Sequence, residues 1–179
     1  MLQITIPDIE LWDERIGEFV CLNGGTINLE HSLVSLSKWE SKWQKPFFGK
    51  ENKTDVETID YIRCMTLNEN VSPELYKYLS SEHLRQVNEY IGNPMTATTF
   101  SNTKKNNSRE IVTAELIYYW MIALQIPFEC QYWHLNRLLT LVQVCNIKNE
   151  PPKKMSKRDV MSRNAALNAA RRKQHNTRG

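Results

Sequence analysis

Cys130 and His134 stand four residues apart. On a helix that spacing brings a thiolate and an imidazole to one face, where they could hold a metal ion. A structural zinc site uses four ligands, and the sequence offers no second pair. His31, His83 and His175 are isolated, and Cys145 lies four turns further on. The spacing therefore reads as a packed cysteine beside a hydrogen-bonded histidine. Nucleophilic chemistry is equally short of a pattern: no G-x-S-x-G, no glycine-rich phosphate loop and no H-E-x-x-H occurs. Six glycines are few for a chain that must wrap its backbone around a ligand. The carboxylate pairs Asp13 with Glu14 and Glu110 with Glu115 suit a solvated surface or a helix start, where the helix dipole favours negative charge. The sequence assigns no catalytic residue, no metal ligand and no cofactor.

Aromatic residues raise a different chemistry. Trp39 and Trp43 lie one helical turn apart among Lys38, Lys42 and Lys45, and cations beside aromatic rings can bind single-stranded nucleic acid. Lysine stems covering a tryptophan-bearing face produce the same pattern. Tyr118-Tyr119-Trp120 and Tyr132-Trp133 fall in the most apolar segments, so Trp120 and Trp133 are expected in the core.

The strongest signal is charge. From Lys148 to Gly179 there are ten Lys and Arg against Glu150 and Asp159, while the other 147 residues hold thirteen basic and eighteen acidic. A body of about −5 thus carries a tail of about +8, which the overall +3 conceals. Ser156-Lys157-Arg158-Asp159 is a capping-box variant, and the Ala-rich run after it has high helix propensity, predicting a helix over 157–173. Its cations are spread around the axis, whereas a membrane-surface helix would segregate them. Such a helix is marginal alone and orders on a partner. Lys153, Lys154, Lys157, Arg158, Arg163, Arg171, Arg172 and Lys173 are the candidate partner-binding residues. An acidic protein surface is the first choice of partner, and nucleic acid ranks behind it.

The elements that must carry this tail fall into three regions. Residues 1–30 read as extended: LQITI, EFVCL and TINLE, with the turn-prone DERIG between the first two and Asn23-Gly24-Gly25 as a hairpin turn. Cys21 is expected to be a small packed side chain of this hairpin or small antiparallel sheet. Residues 31–149 read as helical. Ser32 caps a helix with Leu33, Leu36, Trp39, Glu40 and Trp43 on one face, and KPFFGKEN forms a loop. Thr54-Asp55-Val56-Glu57 is a capping box opening a helix with Val56, Ile59, Tyr61, Ile62 and Met65 as its apolar face. Ser72-Pro73 starts a short helix, and Ser81 caps another that stops at Gly92 and Pro94.

A loop over 93–108, tipped by Lys104 and Lys105, leads to a helix capped by Ser108 and running from Glu110 to Leu124, buried on most sides. A second apolar helix over 128–147 completes an antiparallel hairpin at the centre of the body. Pro151-Pro152 separates body from tail, residues 150–179. The fold class is therefore mainly α (α+β): a helical body, an N-terminal β-hairpin or small antiparallel sheet, and a flexible basic C-terminal helix. The run Ile111–Phe128 is too short and contains Glu115, so no membrane span is expected. Widely spaced cysteines with no signal-peptide pattern ahead of them imply free thiols in a reducing compartment.

Five stretches together carry a resemblance: LEHSLVSLSKWESKWQKPF, DYIRCMTL, NPMTATTF, REIVTAELIYYWMIALQIPFECQYWHLNRLLTLVQVCNIKN and PPKKMSKRDVMSRNAALNAARRKQ. From about Ile4 to its end the chain resembles tail assembly chaperones, small proteins of the tail module of tailed bacteriophages. The resemblance implies a non-enzymatic protein of the host cytoplasm with a helical body and a C-terminal extension. Its partners would be the tape measure protein, which it keeps soluble, the tail-tube protein that polymerises around it, and further copies of itself. The strand-rich first thirty residues depart from that pattern. Two rival roles are a structural component of the tail or head–tail connector and a nucleic-acid-binding protein using the basic tail.

Overall fold

The N-terminal residues form one long antiparallel hairpin in two lengths. A computed structural model describes residues 1–100, 111–150 and 156–176. In it β1 (Leu2–Ile6) pairs with β4 (Gly25–Leu29), and β2 (Ile9–Asp13) pairs with β3 (Glu18–Leu22). Ile6 sits opposite Gly25 and Ile9 opposite Leu22, with two residues on each side between them, so both lengths keep one register.

The expected hairpin turn at Asn23-Gly24-Gly25 is instead a waist in the ribbon. The chain reverses between Asp13 and Glu18, in the turn-prone stretch, where Gly17 takes φ +65° without the penalty a Cβ would bring. At the waist Pro7 has no N–H to give to a ladder. Asp8 accepts the Gly24 N–H at 2.7 Å instead. A Cβ on Gly24 would lie 2.1 Å from the Ile6 carbonyl oxygen, so only glycine fits there.

Helices follow: α1 (Leu33–Trp43), α2 (Asp55–Met65), α3 (Ser81–Gly92), α4 (Ala114–Ala123), α5 (Leu135–Asn149) and α6 (Lys157–His175), with 3₁₀ turns over Pro73–Tyr78 and Phe128–Tyr132. The fold is mainly α with a small antiparallel β component. Ser32 and Thr54 cap α1 and α2, as read from the sequence; the box expected at Thr54 forms, and Ser32 closes a second one with Ser35. Ser80, one residue before the expected cap, caps α3.

Around α1 lie two apolar clusters. Its Trp39 side packs with Ile4, Ile6, Ile27 and Leu29 of the ribbon, with Tyr61, Ile62 and Met65 of α2, and with Val87 and Tyr90 of α3. Its Leu33–Leu36 side packs with Ile117 and Met121 of α4 and with Leu135, Leu138 and Val142 of α5.

Several expectations about the second half are corrected. α4 begins at Ala114 with Thr113 as cap, later than the expected start at Glu110; Ser108 and Glu110 lie outside the described residues. Glu40 sets that start, because its Oε2 accepts the Ala114 N–H at 2.7 Å while Oε1 accepts the Phe47 N–H at 2.7 Å. α4 packs chiefly on α1 and is not buried on most sides: Tyr119 and Ile122 face solvent. Nor is 128–147 one helix. Trp133 is extended between a 3₁₀ turn and α5, because His134 bridges to Ser32 and the Leu135 N–H donates to the His31 carbonyl at 2.7 Å. Trp120 and Trp133 are half-buried at the margin of the second cluster, and the Arg137 guanidinium lies 4.0 Å from the Trp133 ring centre. Val56 and Cys21 are exposed.

By its internal contacts the chain divides into Met1–Asn146 and Ile147–Gly179. Among the described residues no helix is long and apolar enough to cross a membrane.

Candidate functional site

Six of the eight candidate partner-binding residues lie on α6: Lys157, Arg158, Arg163, Arg171, Arg172 and Lys173. Lys153 and Lys154, like Pro151 and Pro152, lie outside the described residues. The helix runs slightly past its expected end and closes at both ends with local chemistry. Ser156 Oγ accepts the Asp159 N–H at 3.1 Å and donates to the Asp159 carboxylate at 2.6 Å. Asn176 ends the helix in the left-handed region at φ 50°, its N–H returning to the Arg172 carbonyl.

Not one residue of α6 is buried. Arg171, Arg172 and Lys173 occupy the last turn, where the helix dipole favours cations, while Lys157 and Arg158 open the helix beside Asp159. The side chains that α6 presents can therefore be covered only by something outside the helix. Val160, Met161 and Leu167 are its exposed apolar residues. By helical spacing Val160 and Leu167 fall on one line, flanked by Arg163 and Arg171.

On the Trp39–Trp43 face the indoles and two of the three lysines already have partners. Trp39 is buried and donates its indole N–H to the Glu57 carbonyl at 2.9 Å; Trp43 donates to Asp60 Oδ2 at 2.9 Å. The neighbouring lysines are also engaged, Lys42 with Asp60 and Lys45 with Glu57. The Lys45 hydrogen bond, followed by the Thr54 N–H, holds the Glu57 carboxyl below its usual range. These cations cover tryptophan, as a packed helix face requires.

Cys130 and His134 do not share a helical face, since Cys130 lies in the 3₁₀ turn and His134 precedes α5. The structure instead brings His134 to His31, a juxtaposition sequence spacing could not reveal. The two rings meet edge-on at 5.1 Å. His31 Nδ1 hydrogen-bonds the Tyr61 hydroxyl at 2.5 Å, and His134 Nε2 donates to the Tyr90 carbonyl at 3.0 Å. Burial, then the neighbouring His134, lowers the His31 pKa from 6.5 to about 4, and burial also lowers His134. His31 is thus held neutral, and burial disfavours a proton on His134. Among the described residues no group of three His, Cys, Asp or Glu side chains could hold a metal.

The exposed aromatic pair on the distal ribbon also escaped the sequence reading. Trp12 and Phe19 are cross-strand partners with ring centres 5.0 Å apart, and they remain 55% and 66% exposed. The only sequence signal was that β2 carries an aromatic opposite another aromatic, which becomes legible once the register is known. Compared with models of protein families, with curated proteins and with solved structures, the chain matches none.

Proposed function

We propose that the chain is a non-enzymatic tail assembly chaperone of a tailed bacteriophage. In the host cytoplasm it would hold the tape measure protein through its basic C-terminal helix while tail-tube subunits polymerise around that protein. The observation that carries this reading is α6: nineteen consecutive helical residues, none of them buried, bearing six Lys and Arg against one acid. A helix with no buried face draws nothing from packing and gains stability when a partner covers it. Cations on all sides suit a long partner with acidic stripes better than a flat anionic membrane. The resemblance of five stretches of the chain to phage tail-module proteins supplies the identity of the partner.

Co-expression tests the reading. Wild type should keep the neighbouring long helical protein soluble. Replacing Arg171, Arg172 and Lys173 with Gln, none of them buried, should leave it insoluble. Binding should weaken with salt, because at physiological ionic strength exposed charges are screened beyond about 8 Å. A steep log-linear salt dependence on any DNA or RNA, with no preference for the tape measure, would replace this reading with nucleic-acid binding. Recovery of the protein in purified particles would replace it with a structural role.

A further inference from the structure

The distal ribbon, β2 and β3 with their connecting turn, presents an exposed Trp12–Phe19 face, and its charge is opposite to that of α6. From Asp8 to Leu22 it holds five acids (Asp8, Glu10, Asp13, Glu14, Glu18) against one base, Arg15. Register and alternation place Glu10, Trp12, Phe19 and Cys21 on one face, and all four are exposed. A two-stranded ribbon is marginally stable in water by itself, and an exposed aromatic pair of this kind is a common anchor for association. Two such acidic arms repel each other, which rules against pairing arm to arm.

The complementary surface is present on the same chain. The Val160–Leu167 line of α6 is apolar, flanked by Arg163 and Arg171, and uncovered. Lengths also match: five residues of strand span about 17 Å, and the eleven-residue rise from Val160 to Arg171 spans about 17 Å.

We infer that α6 of one copy docks across the Trp12–Phe19 face of the acidic ribbon of a second copy. Val160 and Leu167 lie on the aromatic pair, and the flanking arginines meet Glu10 and Glu14. The contact is heterologous, so mutual exchange closes a dimer and one-way exchange builds a longer chain of copies. Its small footprint places it among weak, salt-sensitive interfaces. The inference does not rest on the tape-measure reading and is tested without that protein.

Sedimentation of the full chain at low salt, over a range of concentrations, is compared with two charge reversals. One carries Glu10→Lys and Glu14→Lys, the other Arg163→Glu and Arg171→Glu; all four residues are exposed, so the folded body is left alone. Wild type should associate with rising concentration, and each reversal alone should associate about tenfold more weakly, the effect of inverting two exposed charge pairs. Mixing the two should restore association to the wild-type level, because each arm then meets a tail of opposite sign on the other copy. A wild type that stays monomeric, reversals that associate like wild type, or a mixture that stays as weak as its components would each overturn the inference.

Discussion

Replacing Glu40 with Ala tests how α1, the loop after it and α4 are held together. The carboxylate is buried, with one oxygen on the Phe47 N–H and the other on the Ala114 N–H, both at 2.7 Å. In the variant two backbone donors lose their acceptor, one of them at the first residue of α4, where no intrahelical partner exists. Hydrogen bonds to a charged group contribute about 1.5–3 kcal/mol each. Removing a buried carboxylate also relieves its own desolvation cost, which offsets part of that loss. The net expectation is a destabilisation of about 3 kcal/mol, a large part of the roughly 5–15 kcal/mol that holds a domain together. Glu40→Gln keeps one acceptor oxygen and turns an amide N–H₂ toward the other donor, so about half the loss is expected. Chemical denaturation of the full chain, followed by tryptophan fluorescence and by far-ultraviolet circular dichroism, measures both. Amide exchange at Ala114 and Leu116 should accelerate in the same order. A Glu40→Ala protein within about 0.5 kcal/mol of wild type would refute the reasoning, as would a Gln variant no more stable than the Ala one.

Two further outcomes follow. His31 is held neutral with a pKa of about 4 against an ordinary 6.5. The unfolded chain therefore takes up a proton that the folded chain refuses as pH falls from about 6.5 to about 4. Stability present above that window is lost across it, by about 3 kcal/mol in all; His31→Phe should flatten this slope, and an unchanged slope would show that another group causes it. Ala166→Pro interrupts the exposed helix α6 at a cost of about 3 kcal/mol to that helix. It should leave the denaturation midpoint of the body within experimental error while abolishing solubilisation of the tape measure; a lowered midpoint would mean that α6 supports the body.

Local chemistry was legible in the sequence and long-range chemistry was not. The caps at Ser32, Thr54 and Ser156 involve residues three apart, so the string of letters contains both partners. The start of α4 depends on a carboxylate 74 residues earlier. The break before α5 depends on pairing with residues 31 and 32. The apolar run around Trp120 was read as a buried helix because periodicity reports composition, and Tyr119 and Ile122 show that an apolar helix can keep one side wet. At Asn23-Gly24-Gly25 the glycine signal was real, but the glycine serves close backbone approach and not a turn. The basic helix was legible from its charge, its Ser156 cap and its Ala-rich composition. The aromatic ribbon face and the His31–His134 contact required register and tertiary folding.

The segment from Leu29 to Ser32 joins the chain at two distances. It bridges Thr66, hydrogen-bonds Met65, and closes against His134 and Leu135. The last of these partners is made about a hundred residues after the first helix begins. At roughly 5–20 residues per second of synthesis, that helix waits on the order of 5–20 s with Leu33 and Leu36 uncovered. The ribbon and α2 can settle on its Trp39 side in the meantime, so the nascent chain emerges half-dressed, apolar on the side that α4 and α5 will later occupy. The time of greatest exposure to aggregation is therefore translation itself, and slower initiation, which spaces ribosomes apart on the message, should raise the soluble yield more than any change made to the finished protein's surface.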